Sequence, residues 1–207
     1  MDRLRKIVCC LVLFCGFMLV QAEEAPSLQP IKIGTIWHYQ AVDQKEKQDF
    51  WIKAAKEEKI GDQLCIKLEG IMETENEKKV KVKEIVSTEH IAIKSDGIYR
   101  YALTDNKITP PLCICKLPPK NGNKWSQSFT IEDKKGSADY TQTLEEVIVK
   151  AGKYTNAVKV GVNIEENSAK TTLNVWYAPG VGIVKQIFSS GKETFSLELQ
   201  DVEIPKK

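Results

Sequence analysis

The chain has 207 residues, 42% of them hydrophobic and 28% charged, with 30 basic against 28 acidic side chains and a formal net charge of +2. A balance this even supplies no global positive field, which argues against nucleic acid or anionic lipid as a partner. The length suits one domain rather than a string of them.

Residues 1–22 have the layout of a cleavable secretory signal. Arg3, Arg5 and Lys6 precede an apolar run of 14 residues, Ile7 to Val20, and Val20-Gln21-Ala22 places small residues where a signal peptidase reads them. That run is short of the ~20 residues a helix needs to span a bilayer. A signal helix is therefore expected, with membrane contact confined to the uncleaved segment. The leader takes three of the 30 basic and one of the 28 acidic residues with it, so residues 23–207 are close to neutral.

Three of the six cysteines, Cys9, Cys10 and Cys15, belong to the leader. Cys65, Cys113 and Cys115 remain. An oxidising compartment permits one disulfide among them. Cys113 and Cys115 lie two apart on one face of an extended segment, ~6.5–7 Å between Cα atoms, at the limit for a bridge. Cys65 with Cys113 or Cys115 is the remaining pairing, and three ordinary buried thiols are the alternative.

From residue 35 onward the hydrophobic period is two, which predicts strands. Thr35 to Val42 puts Trp37 and Tyr39 on one face. Asp49–Ile60 fits a short helix or a strand, and the placement of Phe50, Ile52 and Ala54 favours the strand. Leu64, Ile66 and Leu68 alternate with Cys65, Lys67 and Glu69, and Val80 and Val82 alternate with lysines. Ser95-Asp96-Gly97 then reads as a hairpin turn. A two-residue Asp-Gly loop pairs Ile93 with Arg100. A three-residue loop with Gly97 left-handed pairs Ile93 with Tyr99 and Ile91 with Tyr101, and is preferred because it collects apolar groups on one face.

Pro110-Pro111 and Pro118-Pro119 bracket a short strand holding Cys113 and Cys115. Lys120-Asn121-Gly122-Asn123 is turn chemistry ahead of Trp125. Gly34-x-x-Trp37 and Gly122-x-x-Trp125 each open a β-rich half, so the single domain 23–207 divides near 118–123. Val158, Val160, Val162 and Ile164 form the next alternating strand, followed by Leu173, Val175 and Tyr177, then Phe195, Leu197 and Leu199. Val202 and Ile204 fall out of phase with that last set, which places a bulge near Gln200-Asp201. The whole is mainly β: an antiparallel curved sheet, a half-barrel or open barrel.

Chemistry is sparse. His38 and His90 are the two histidines, each in a strand pattern and neither with a second His at metal spacing. Cys113-x-Cys115 is not a standard zinc spacing. There is no Gly-x-Ser-x-Gly elbow; Ser189-Ser190-Gly191 reads as a turn, and Gly191-Lys192 is not a phosphate loop. The paired carboxylates Glu57-Glu58, Glu145-Glu146 and Glu165-Glu166 have the look of solvated faces. No catalytic residue, metal site or cofactor is expected, and the chain reads as non-enzymatic. The aromatic residues offer more. Trp37, Tyr39, Tyr99, Tyr101, Trp125 and Trp176 are either sheet core or the lining of an apolar ligand groove, since Trp and Tyr combine an apolar body with a polar handle.

Three segments carry a resemblance: Leu117-Pro118-Pro119-Lys120-Asn121-Gly122-Asn123-Lys124-Trp125, Ala151-Gly152-Lys153-Tyr154-Thr155-Asn156-Ala157-Val158-Lys159-Val160, and Trp176-Tyr177-Ala178-Pro179-Gly180-Val181-Gly182-Ile183-Val184-Lys185. Together they resemble a loose group of uncharacterised exported bacterial β-rich proteins. The resemblance implies an antiparallel half-barrel similar to periplasmic lipoprotein carriers, and supplies no catalytic residues.

The expectation for function is an exported cell-envelope protein, periplasmic or extracellular, that binds a lipid or other apolar ligand, or an envelope protein partner, in a concave sheet. A structural or interaction domain without a pocket is the first alternative. An enzyme with no recognisable motif is the second. An apolar cavity of about 300 Å³ or more would favour the ligand-binding reading.

Overall fold

The computed structural model describes residues 27–43, 46–75, 80–166 and 169–206; the expected signal peptide and its helix lie outside them. Twelve strands follow one another: β1 Ile36–Asp43, β2 Glu46–Ile60, β3 Gln63–Glu75, β4 Lys81–Lys94, β5 Gly97–Leu103, β6 Asn106–Lys116, β7 Asn123–Ile131, β8 Lys134–Val149, β9 Gly152–Glu166, β10 Ala169–Ala178, β11 Gly182–Ser190 and β12 Glu193–Glu203. Each pairs antiparallel with its chain neighbour. The ambiguous Asp49–Ile60 stretch is strand, as its alternation favours.

The half-barrel or open barrel expectation is corrected by the first and last strands. β12 pairs with β1, Asp43 opposite Phe195 and Ile36 opposite Glu203, and the sheet closes. Side-chain alternation is the same in an open and a closed sheet, so the pattern could not distinguish them. Closure removes two unpaired edges. It also sets buried Tyr39 and Ala41 of β1 beside buried Leu199 and Leu197 of β12. The phase change near the end of the chain is a bulge: Tyr39 faces Leu199 and His38 faces Asp201, leaving Gln200 without an opposite residue.

The β4–β5 hairpin also differs from expectation. Ser95 and Asp96 form the loop, Lys94 faces Gly97 and Ile93 faces Ile98, so neither anticipated register holds. Gly97 is not left-handed. It is glycine because a Cβ there would lie 2.8 Å from both the Cys113 sulfur and the Cys115 carbonyl oxygen. The close approach of β6, not the turn, dictates the residue.

Inward positions are apolar: Trp37 and Tyr39 of β1, Val158, Val160 and Val162 of β9, Val175 and Tyr177 of β10, Leu197 and Leu199 of β12. Outward positions such as Lys159, Lys185 and Glu198 are charged, and Lys185 pairs with Glu198 at 2.6 Å. A polar outside over an apolar inside is the reverse of a membrane-spanning barrel, whose outer wall must be apolar.

One end of the barrel is stoppered. Residues 27–35 cross it, burying Leu28, Gln29 and Thr35. The Gly180 amide donates to the Ser27 carbonyl at 2.9 Å and the Gly34 amide to the Ala54 carbonyl at 2.7 Å. Trp37 Nε1 donates to the Val181 carbonyl at 2.7 Å, and the Tyr39 hydroxyl to the Ile183 carbonyl at 2.8 Å. These bonds satisfy the polar tips of two nearly inaccessible aromatics and fix the 179–181 turn under the barrel.

The wall has one thin seam. β6 and β7 share only Ile108 opposite Ile131 and Thr109 opposite Thr130. Below that point side chains replace the ladder. Gln127 accepts from the Cys113 amide and donates to the Cys113 carbonyl, both at 3.0 Å, and Trp125 Nε1 donates to the same carbonyl at 3.0 Å. Gln142 Oε1 accepts from the Lys116 amide at 3.1 Å. The Pro118–Asn123 segment is the connection across this seam.

Candidate functional site

The end of the barrel opposite the stopper holds an apolar cavity of about 160 Å³. Its wall is mostly aliphatic, with Leu112, Ile114, Val162 and Val175 prominent, and Phe129 closing one side. The last residues of three strands, Leu103 of β5, Ile131 of β7 and Glu166 of β9, reach its mouth. A shallower depression of about 440 Å³ lies at the upper end of the seam, between Thr109-Pro110 and Gly136-Ser137, and encloses little.

A charged side chain stands in the cavity wall. Arg100 faces inward because Ile91 of β4 and Leu112 of β6 flank it in register. Its Nε donates to Glu89 Oε1 at 2.6 Å. Glu89 is opposite Leu68 in β3 and Leu103 in β5, which turns it to the same interior. The two side chains keep 22% and 24% exposure, so the pair is not sealed in the core, and Arg100 lines the cavity. No described residue hydrogen-bonds the terminal nitrogens of Arg100. Burial disfavours the guanidinium charge, the Glu89 carboxylate outweighs it, and the net displacement of the Arg100 pKa is upward. The phenols of Tyr140 and Tyr177 also line the cavity. Burial pushes Tyr140 up to about 12 and Tyr177 well above the usual range, so both stay neutral donors.

The six aromatics expected in a groove are dispersed, and none of them lines this cavity. Trp37 and Tyr39 are packed at the stoppered end. Tyr99 and Tyr101 belong to a separate cluster with Cys65 and Ala92, under the Lys94 ammonium. Trp125 stacks on Tyr140 with ring centroids 4.9 Å apart, one layer behind the cavity wall. Trp176 points to the face opposite Val175 and Tyr177, where Nε1 donates to Glu145 at 2.7 Å. Alternation marked these residues as buried but could not separate inside from outside. Arg100 and Glu89 escaped notice because an isolated charge in a strand usually faces water. Their parity with Ile98 and Ile91 was the signal that could have found them.

Cys65, Cys113 and Cys115 are free and buried, the three-thiol arrangement that stood as the alternative to a Cys65 bridge. Cys65 lies in the outer cluster beneath Tyr101, whereas the Cys115 thiol faces Gln142 at 3.6 Å in the interior. The Cys113 thiol turns to the Cys115 carbonyl. His38 is on the outer wall, stacked on Trp51 and 2.8 Å from Asp49. His90 bonds Glu58 at 3.1 Å. Neither histidine reaches the cavity. Among the described residues no group of three His, Cys, Asp or Glu is placed to hold a metal ion.

Two solved structures share the fold. One is a candidate lipoprotein of Parabacteroides distasonis, 14% identical, with a TM-score of 0.54 over 87% of this chain and 100% of that one. The other is a candidate exported protein of Bacteroides fragilis described as having a YmcC-like fold, 11% identical, with a TM-score of 0.50 and the same coverage. At such identities the likeness concerns the fold. No protein-family model matches the sequence, and no curated protein matches it significantly.

Proposed function

We propose that this chain is an exported, non-enzymatic cell-envelope protein that receives an apolar ligand through the open end of its barrel. The observation that carries the proposal is the asymmetry of the interior: packed and stoppered by residues 27–35 at one end, hollow and aliphatic at the other. A fully structural barrel would gain stability by filling that space, because empty apolar volume forfeits contacts.

The signal-like leader and the fold shared with proteins described as lipoprotein or exported support the compartment. The cavity lining is mostly aliphatic, which suits holding an apolar group, with Arg100 and Glu166 its charged members. At about 160 Å³ the cavity falls short of the ~300 Å³ that would by itself favour ligand binding, and is close to an engineered cavity that takes benzene. It fits a short apolar molecule or one end of a longer chain, not a whole lipid.

Native mass spectrometry of protein purified from its own envelope, followed by organic extraction, tests this. The expected result is a recoverable apolar molecule at a fixed stoichiometry. Repeated recovery of protein alone, in preparations where added apolar ligands also fail to bind, would overturn it.

A further inference from the structure

Resting on that ligand-binding reading, we infer that the barrel recognises its ligand by an oxygen atom held on Arg100, with the apolar tail in the cavity. The ligand class is a short apolar chain ending in a carboxylate or carbonyl. Arg100 lies three residues inside Leu103, the last residue of β5 at the mouth. Its Nε is 2.6 Å from Glu89, which is opposite Leu103, so the guanidinium stands near the level of the mouth. That nitrogen is committed to Glu89, while the rest of the guanidinium makes no hydrogen bond to a described residue, and Arg100 lines the cavity with its side chain 22% exposed.

A guanidinium offers five donors in a fixed plane and no acceptor, so a ligand group that displaces water from it must bring an accepting atom such as oxygen. Tyr140 and Tyr177 line the same cavity. Glu89 cancels the net charge without using the outer donors. The site therefore selects for accepting oxygen and does not require a full negative charge.

The arrangement is hard to justify as architecture alone. An Arg–Glu pair this exposed adds little stability, and apolar residues of similar volume often replace even a buried pair without loss.

The test compares octanoate, 2-octanone and octyltrimethylammonium by isothermal titration calorimetry on the leaderless chain. All three carry a similar apolar tail; only the first two offer oxygen. The inference expects octanoate or 2-octanone to bind at least tenfold more tightly than the ammonium compound, since a hydrogen bond to a charged group is worth about that factor or more. The relative strength of the first two tells whether the natural head is ionised. The paired variant Glu89→Leu/Arg100→Met leaves no unpaired charge and should abolish the preference while still binding the tails. Arg100→Lys keeps the partner of Glu89, loses the fork, and should lose most of the preference as well. Equal binding of the three probes to the native protein, or a preference that survives the paired variant, overturns head recognition while leaving the apolar cavity in place. Failure of every probe to bind removes the ligand-binding reading itself.

Discussion

The side-chain amide of Gln127 pairs with both backbone polar groups of Cys113, accepting from its N–H and donating to its C=O at 3.0 Å each. It does in one residue what a neighbouring strand would otherwise do, at the level where β7 has parted from β6. A closed barrel with a sparsely paired seam thereby keeps its backbone satisfied.

Replacing Gln127 by leucine tests that role. The Cys113 carbonyl would keep Trp125 as donor, but its amide would have no partner. An orphaned buried amide costs about 1–3 kcal/mol. In a protein of this size each kcal/mol lowers Tm by roughly 2–4 °C. Thermal unfolding should show that drop, and amide exchange at Cys113 should speed up. An unchanged Tm with an unchanged exchange rate would mean the seam does not depend on Gln127.

Gly97→Ala should destabilise the barrel although Gly97 has ordinary backbone angles. The added methyl meets the Cys113 sulfur and the Cys115 carbonyl at 2.8 Å each. Overpacking of this kind costs about 1–3 kcal/mol. Adding Cys113→Ala relieves the first contact and leaves the second, so a double-mutant cycle should show partial recovery. Strict additivity would place the strain elsewhere.

The three thiols should be inert in the folded protein. Burial pushes Cys115 up to about 12, with Cys113 beside it adding to the effect, and burial raises Cys65 and Cys113 too. The thiolate is the reactive form. Iodoacetamide at pH 8, read by intact mass, should label none of the three until denaturant is added, and then all three. Rapid labelling of Cys115 in the native state, or a thiol missing after unfolding without reductant, would contradict the arrangement.

Acid should weaken two outer-wall contacts. The hydrogen bond from His90 leads in holding the Glu58 carboxyl below its usual value of 4.5, and bonds from Thr88 and then Lys67 hold Asp105 below 3.8. A carboxyl lowered on folding adds stability above its unfolded pKa and loses it as pH falls through the lower folded value. The difference in Tm between the native protein and Glu58→Gln should be constant above pH 5 and shrink as the pH falls below 4.5. A difference that grows on acidification would reverse the assignment.

Much of the wall was legible in the chain. Trp37-Tyr39-Ala41, the valines of β9, and Val175-Tyr177 alternate as half-buried strands must, and the slip at Gln200 announced its bulge. Closure was not legible, because it depends on residues 36–43 meeting residues 195–203, a contact with no local signature. The hairpin register misled for a related reason: Gly97 answers to Cys113 and Cys115 in another strand. The site was less readable than the fold. Tyr99 and Tyr101 promised a groove but pack outside, whereas Arg100 between them points in, as strand alternation from Ile98 places it.

Methyl NMR of the leaderless chain titrated with octanoate asks the central question most directly. The open-end cavity predicts saturable shifts at Leu112, Ile114, Val162 and Val175, with Val184 and Leu199 at the packed end unmoved. Shifts absent from the first set, or confined to methyls outside the barrel, would contradict a ligand chamber there.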